Sequence, residues 1–232
     1  MAEAVTVQTE EFLESIYRLQ QRDGVARTSE LVKMLKIVPG TVTNTVERLE
    51  KKRLVAHEAY KGVRLTEKGR NIALKVLRRH RLSERLLADM LNMEWNQVHE
   101  AACHLEHGVT DEVAKNIEEA LGWPRTCPHG NPIPTKSGGI IEEETQLLSA
   151  LRPKDEAVVT RITDEKHSTL ERAEKLGLRP GAQLRVLGKP PRGTTVTVSI
   201  DGKTRPISRK MASVIVVRKS REHVAADPEI ED

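Results

Sequence analysis

Apolar residues recur at helical spacing from 10 to 21, where Phe12, Leu13, Ile16, Tyr17 and Leu19 alternate with polar positions, acids fill the first turn and Thr9 offers a cap. The pattern predicts an amphipathic helix that Asp23-Gly24 ends. A short second helix is predicted from Thr28 or Ser29, burying Leu31, Val32 and Leu35. Pro39-Gly40 opens a third, which runs to about Arg53 with Val42, Val46 and Leu49 inward. Two short helices joined by a tight turn form a helix-turn-helix. Residues 54–58 and 62–66 then read as two short strands around the loop 59–61, which completes a winged helix.

Thr66-Glu67-Lys68-Gly69-Arg70 starts a long helix to about Arg79, with Ile72, Ala73, Val76 and Leu77 inward. Three shorter helices are predicted at 82–91, 95–107 and 111–121, the last aligning Val113, Ile117, Ala120 and Leu121. Helices this short and poor in aromatic bulk make an incomplete core, so a homodimer is expected. Residues 123–139 are dense in Pro and Gly and mark a turn region. The last third is rich in β-formers at 156–163, 183–187, 194–200, 203–207 and 214–217, with one helix at 168–176, and predicts a small barrel. The fold class is thus mainly α with a β C-terminal module. The expected domains are a winged helix at 1–73, a helical dimerisation domain at 74–140, in which most of the candidate metal ligands described below fall, the β module at 150–218, and a polar, flexible tail at 219–232.

Composition narrows the function classes. The 232 residues are 31% charged and 2% aromatic, with a net charge of +4 and a pI near 9.1, which permits a polyanionic partner without requiring one. No apolar run approaches the ~18 to 20 residues of a membrane span, and Met1-Ala-Glu-Ala-Val-Thr is no secretion signal. The expected location is the cytoplasm, with no membrane partner. There Cys103 and Cys127 are expected to be thiols or ligands.

The chemistry concentrates in residues 98–109. On a helix turning ~100° per residue, His99, Cys103, Glu106 and His107 share one side, while Val98, Ala101, Ala102, Leu105 and Val109 form an apolar stripe. Imidazole, thiolate and carboxylate are ligand types for divalent transition metals. His80 and Glu84, four residues apart, share the face of another helix. From the residues alone, solvated polar faces and converging metal ligands stand as equal readings.

Arg-Arg-His-Arg-Leu at 78–82, Val-His-Glu-Ala-Ala-Cys-His-Leu-Glu-His at 98–107 and Cys-Pro-His-Gly at 127–130, following a winged helix, resemble the diphtheria toxin repressor and manganese transport regulator family of metal-dependent transcriptional repressors. The likeness runs through residue 218, and the C-terminal barrel looks like the SH3-like (FeoA-like) domain of three-domain members. It implies a first site formed by Glu11, His80, Cys103, Glu106 and His107. Glu11 stands where iron-responsive actinobacterial members have a Met, and with neighbouring Glu14 it supplies hard oxygen, which suits Mn(II) or Fe(II). Cys103 matches the iron sensors, so the pattern is mixed; Mn(2+) is the preferred ion and Fe(2+) the alternative, with Zn, Co or Cd as substitutes in vitro.

Two versions of a second site follow from the resemblance. One takes His80, Glu84 and His99 with barrel residues; the other takes Glu84, Cys127 and His129 with a barrel acid, Asp164 or Glu165. The second fits this chain better, with Asp164 as the first choice of acid; His99 and Glu165 stand as further candidates.

The family's activity implies binding to a double-stranded DNA operator. The outward residues Pro39, Gly40, Thr41, Thr43 and Asn44 at the start of the third helix are assigned to the major groove. Arg27, Arg48, Lys51 and the wing residues Tyr60, Lys61 and Arg64 are assigned to DNA as well, as phosphate contacts. The function implied is repression of manganese or iron uptake genes by the metal-bound homodimer, without enzymatic activity. Two rivals are a winged-helix regulator of a small organic ligand with a structural metal and a metal-dependent hydrolase. No His-Glu-x-x-His or other hydrolytic motif supports the latter.

Overall fold

The computed structural model describes residues 5–58, 61–141, 143–190 and 193–220. They fall into two compact units. Unit one holds residues up to Met93 with Glu100–Cys127 and Pro132–Ile141; unit two holds Glu94–His99, Pro128–Asn131 and the chain from Glu142 onward. The tail beyond Ser220 and the wing residue Tyr60 lie outside the described residues.

Unit one begins with α1 (Val7–Asp23), capped by Thr6, whose hydroxyl accepts from Thr9 N–H, one turn earlier than the sequence pattern predicts. Thr9 is instead buried against the helix core. Next come α2 (Thr28–Leu35) and α3 (Pro39–Lys51), whose Pro39 sits where a missing N–H costs no hydrogen bond. The wing is an antiparallel pair, β1 (Val55–Glu58) and β2 (Gly62–Leu65), with Val55 opposite Leu65. Phe12, Leu13 and Ile16 of α1, Leu31 of α2, and Val42, Val46 and Leu49 of α3 share one core with Val55, Val63, Ala73, Leu74 and Leu77. The winged helix is therefore fastened to the helix that follows it.

That helix, α4, spans Glu67–Arg85 and runs directly into a single π-helical turn at Leu86–Met90. The sequence pattern divides this stretch near Arg79 and places a separate helix at 82–91. Apolar periodicity ends at Leu77, yet the buried face continues through His80, Ser83 and Glu84. Hydropathy cannot register a buried face that carries polar groups, of which His80 and Glu84 pair with each other. Gly69 sits in the first turn of α4, where an added Cβ would lie 2.0 Å from the Leu54 carbonyl oxygen; the close approach seats the helix on the start of the wing.

The next helix, α5, is shorter than expected: it spans Val98–Leu105, and Glu106–Gly108 tighten into a 3-10 turn. α6 (Asp111–Ala120), capped by Thr110, follows closely. Leu82, Val109, Ala114, Ile117 and Ile133 make a small core, whereas Leu105 and Val113 of the predicted apolar stripes are exposed. The basic run of α4 acts internally. Arg78 bonds Glu118 and the Pro134 carbonyl, Arg81 donates to the Pro132 carbonyl, and Arg79 pairs with Glu10.

Unit two is built on a six-stranded antiparallel sheet of SH3-like character. Its strands are β3 (Gln146–Leu147), β4 (Glu156–Ile162), β5 (Gln183–Gly188), β6 (Thr195–Ile200), β7 (Lys203–Ser208) and β8 (Ile215–Lys219), in the order β3-β8-β4-β5-β6-β7. Alternate inward residues such as Val159, Val186, Val196, Val198 and Val217 form its core with Leu170 and Ala173 of α7 (His167–Lys175). Register shifts at Val159/Arg161 and Val186/Gly188 add local twist. β3 and a helical turn, α8 (Arg209–Ala212), are too short to leave a periodic signal in the sequence. No helix among the described residues is long and apolar enough to cross a membrane.

Within unit two the segment 128–131 runs along β4: Ile162 N–H donates to the His129 carbonyl, and Asn131 Nδ2 donates to the Ile162 carbonyl. Gly130 there has φ +84°, and a Cβ would lie 1.9 Å from the Thr160 carbonyl oxygen. Gly130→Ala is expected to destabilise the protein by about 2 to 4 kcal/mol, through strain plus a backbone collision. Denaturant unfolding measures this, and a loss under about 0.5 kcal/mol, the range of an ordinary surface change, would contradict the packing described.

Candidate metal centre

Four elements of unit one bring ionisable groups together. α1 contributes Glu10, Glu11 and Glu14; α4 contributes His80 and Glu84; α5 contributes Cys103; the 3-10 turn contributes Glu106 and His107. Glu14, His80 and Glu106 are all buried, and each offers a ligand atom within 4.8 Å of the others. The His80 ring is bracketed by carboxylates, with Nδ1 at 2.6 Å from Glu106 and Nε2 at 3.1 Å from Glu84.

The electrostatics follow from this crowding. Burial alone would push the His80 imidazole down, but Glu84, with hydrogen bonds involving Cys103, Glu106 and Glu84, holds it well above its ordinary range. Burial pushes the Glu106 carboxyl up, and the contact from His80 offsets this only in part. Glu14 is also pushed up by burial, yet Arg18, His80 and Arg81 more than compensate and leave it below the usual carboxylate range. Arg18 donates to Glu14 Oε1 at 2.8 Å. The carboxylates on both sides of the His80 ring thus favour its charged form, and a cation among them favours their ionised forms in turn.

His107 continues the cluster. Its Nε2 lies 3.2 Å from Glu106 Oε1 and 3.8 Å from Glu11 Oε1, while its Nδ1 is 2.9 Å from Glu10 Oε2. The ligand set read from the sequence for the first site is therefore gathered on one side of unit one, with different depths. His80 and Glu106 are buried, His107 is partly so, and Glu11 and Cys103 are exposed. Glu14, which the sequence reading treats only as a neighbour of Glu11, is the α1 carboxylate at the buried centre. Its spacing from Glu10, one helical turn, is the signal that could have found it.

The residues of the second set are placed within each unit as follows. In unit one, Glu84 and Cys127 are buried. In unit two, His129 is buried, its Nε2 lies 2.9 Å from the Trp95 carbonyl oxygen, and its ring meets Trp95 edge-on. Glu165 is buried, accepts from Asn131 at 2.8 Å, and lies 3.6 Å from His129 Nδ1 and 3.7 Å from His99 Nδ1. Asp164 instead accepts from Thr169 Oγ1 at 2.9 Å at the start of α7. Of the two neighbouring acids, Glu165 is the one that faces imidazoles.

All the described residues assigned to DNA are exposed: Arg27, Pro39, Gly40, Thr41, Thr43, Asn44, Arg48, Lys51, Lys61 and Arg64. Thr41, Thr43 and Asn44 occupy the first turns of α3, opposite its buried Val42, Val46 and Leu49. This is the surface that a helix-turn-helix offers to a groove.

Three family models match the chain in succession. Residues 4–63 match the iron dependent repressor N-terminal DNA binding domain, residues 66–135 the iron dependent repressor metal binding and dimerisation domain, and residues 146–219 the FeoA domain. The iron-dependent repressor IdeR of Mycobacterium tuberculosis is 31% identical over 224 residues, covering 91% of this chain and 96% of its own. The crystal structure of IdeR from T. acidophilum is similar with a TM-score of 0.81 at 29% identity, covering 94% of this chain and all of that one. A manganese-dependent transcriptional repressor solved in complex with manganese gives a TM-score of 0.84 at 31% identity, over 91% of this chain and all of that one.

Proposed function

Because the chain belongs to the iron-dependent repressor family of metal-dependent, DNA-binding transcriptional repressors, we propose that Glu14, His80 and Glu106, completed by Glu11, Cys103 and His107, form the site at which a divalent metal activates operator binding. The observation that carries this reading is the buried triad Glu14–His80–Glu106, which joins the first helix of the winged-helix core to α4 and to the turn after α5. Two buried carboxylates beside one imidazole are a costly arrangement in an apolar interior unless a cation is present. The donor set fits a divalent ion, and its oxygen and nitrogen content favours Mn(II), with Fe(II) as the alternative. Zn, Co or Cd substitute in vitro in this reading. Within unit two we assign Glu165, which faces His129 and His99, in place of Asp164 as the candidate barrel acid.

A divalent cation supplies the positive charge that these carboxylates require and fixes the groups that hold it. Glu14 sets the position of α1, which shares its core with α2 and α3. His80 sets that position relative to α4, and Glu106 relative to the turn after α5. Holding α1 therefore limits the directions that the exposed first turns of α3 can take. In a homodimer, two such heads held about one helical turn of DNA apart read a palindromic operator. Tenfold tighter DNA binding needs only ~1.4 kcal/mol of preference for the competent arrangement. The regulated genes in this reading are manganese or iron uptake genes, and the protein acts in the cytoplasm as a repressor and not as an enzyme.

The deciding experiment is an electrophoretic mobility assay on genomic fragments with Mn(II) or Fe(II) and with chelator. Specific retardation is expected with metal and is lost with chelator; equal specific binding in both would overturn the reading. A graded response over micromolar metal separates a sensor from a structural ion.

Proton competition follows from the charge on His80. Its pKa in the folded, metal-free protein is held well above the ordinary value by the neighbouring carboxylates, so the proton is bound more tightly there than on a free imidazole, and ligation must displace it. The sign is that affinity falls as pH falls below that raised pKa, by up to about tenfold per pH unit for each proton displaced. Mn(II) titration at two pH values, with proton release measured in weakly buffered solution, is expected to show this. Unchanged affinity without proton release would remove His80 from the ligands.

A further inference from the structure

Both carboxylate oxygens of Glu10 are taken, each by a different neighbour. Oε1 accepts from Arg79 Nη2 at 2.6 Å, and Oε2 lies 2.9 Å from His107 Nδ1. All three side chains are at least four-fifths buried. The other edge of the His107 ring, Nε2, faces Glu106 and Glu11, both assigned to the metal. A neutral imidazole holds one proton, and the partner of one ring nitrogen decides where it sits.

We propose that Glu10 is a positioning residue: it accepts the Nδ1–H of His107, fixes that tautomer, and so presents Nε2 with its lone pair toward the metal ligands, while Arg79 holds Glu10 in place and keeps it from acting as a ligand. The three adjacent acids of α1 thereby divide the work. Glu14 enters the buried centre, Glu11 lies at its exposed edge, and Glu10 orients a histidine from behind. Because Glu10 is on α1, Arg79 on α4 and His107 after α5, this chain of contacts aligns the same three elements before any ion arrives. The alignment lowers the ordering cost of ligation. The role in metal affinity rests on the metal-site reading above, whereas the tautomer belongs to the metal-free protein.

The test uses the full chain. Nitrogen-15 NMR of the His107 ring, metal-free and at a pH where it is neutral, is expected to show the proton on Nδ1 in the wild type and a loss of that preference in Glu10→Ala. Mn(II) affinity is expected to fall ten- to a hundredfold in Glu10→Ala. Glu10→Gln keeps a carbonyl acceptor and is expected to restore the tautomer and most of the affinity, which a merely structural role would not predict. If Glu10→Ala fails to fold, Glu10→Met, of similar length but without an acceptor oxygen, reads the same two quantities. An unchanged tautomer in the variant, or a lost tautomer with affinity within twofold of wild type, overturns the proposal. A wild type that shows the Nδ1–H tautomer but binds no Mn(II) overturns the metal-site reading and, with it, only the affinity half of this one.

Discussion

Glu106→Gln is expected to abolish metal-stimulated DNA binding while leaving the protein folded. The amide keeps a carbonyl oxygen that can accept from His80, at the position where Glu106 now lies 2.6 Å from Nδ1. What is lost is the negative charge and the carboxylate oxygen that lies 3.2 Å from His107 Nε2. Glu106 is the residue that touches both histidines of the cluster, so its removal uncouples His80 from His107 and takes one carboxylate from the buried triad. Loss of an outer partner of a metal ligand typically costs ~10- to 100-fold in affinity, and loss of a charged ligand is expected to exceed that. Calorimetric Mn(II) titration and the mobility assay read the effect, and a melting temperature close to wild type excludes unfolding as its cause. A variant that still binds Mn(II) within a few-fold of wild type would remove Glu106 from the site.

The second large effect separates two acids on the same helix. Glu14→Ala is expected to lower Mn(II) affinity by at least ~100-fold, beyond what an outer partner costs, and Glu11→Ala by less. Glu14 is buried, bonded to Arg18, and within ligand distance of His80 and Glu106. Glu11 is exposed, its contact with His107 is 3.8 Å, and water can replace its oxygen. Exposed charge pairs contribute little because solvent screens them and their side chains stay free, whereas a buried group has no such substitute. Glu14→Ala also leaves Arg18 without its carboxylate, so Glu14→Gln is the better control for stability. If Glu11→Ala proves the more damaging of the two, ligation must draw α1 round from the position seen here, and the buried triad is not the centre.

Much of this organisation was legible in local pattern. The 3.6-residue period located α1 to α3 and α6, the period-two runs located the wing and the main strands, and Pro39 marked the start of α3. Where the pattern failed, the cause was a polar group buried by partners distant in sequence. α4 continues past Leu77 because His80 and Glu84 lie on its inner face, satisfied in part by Glu106 from 26 residues away. α5 stops at Leu105 and the chain tightens, so Glu106 turns inward while Cys103, in the last α-helical turn, stays exposed. An ideal helical wheel places the two on one face and cannot show that difference in depth.

By itself, the sequence determined the module types, the helix spacing and the kinds of donor atom, because these depend on interactions within a few residues along the chain. It placed Glu10 and Glu14 on one face of α1 and Glu11 on an adjoining one. Which face meets α4 was a matter for tertiary structure alone. The rotation of α1 about its axis is set by the fit of Phe12, Leu13 and Ile16 into a core shared with α2, α3, the two wing strands and α4. That packing sends Glu14 to His80, Glu10 to Arg79 and His107, and leaves Glu11 at the solvent edge.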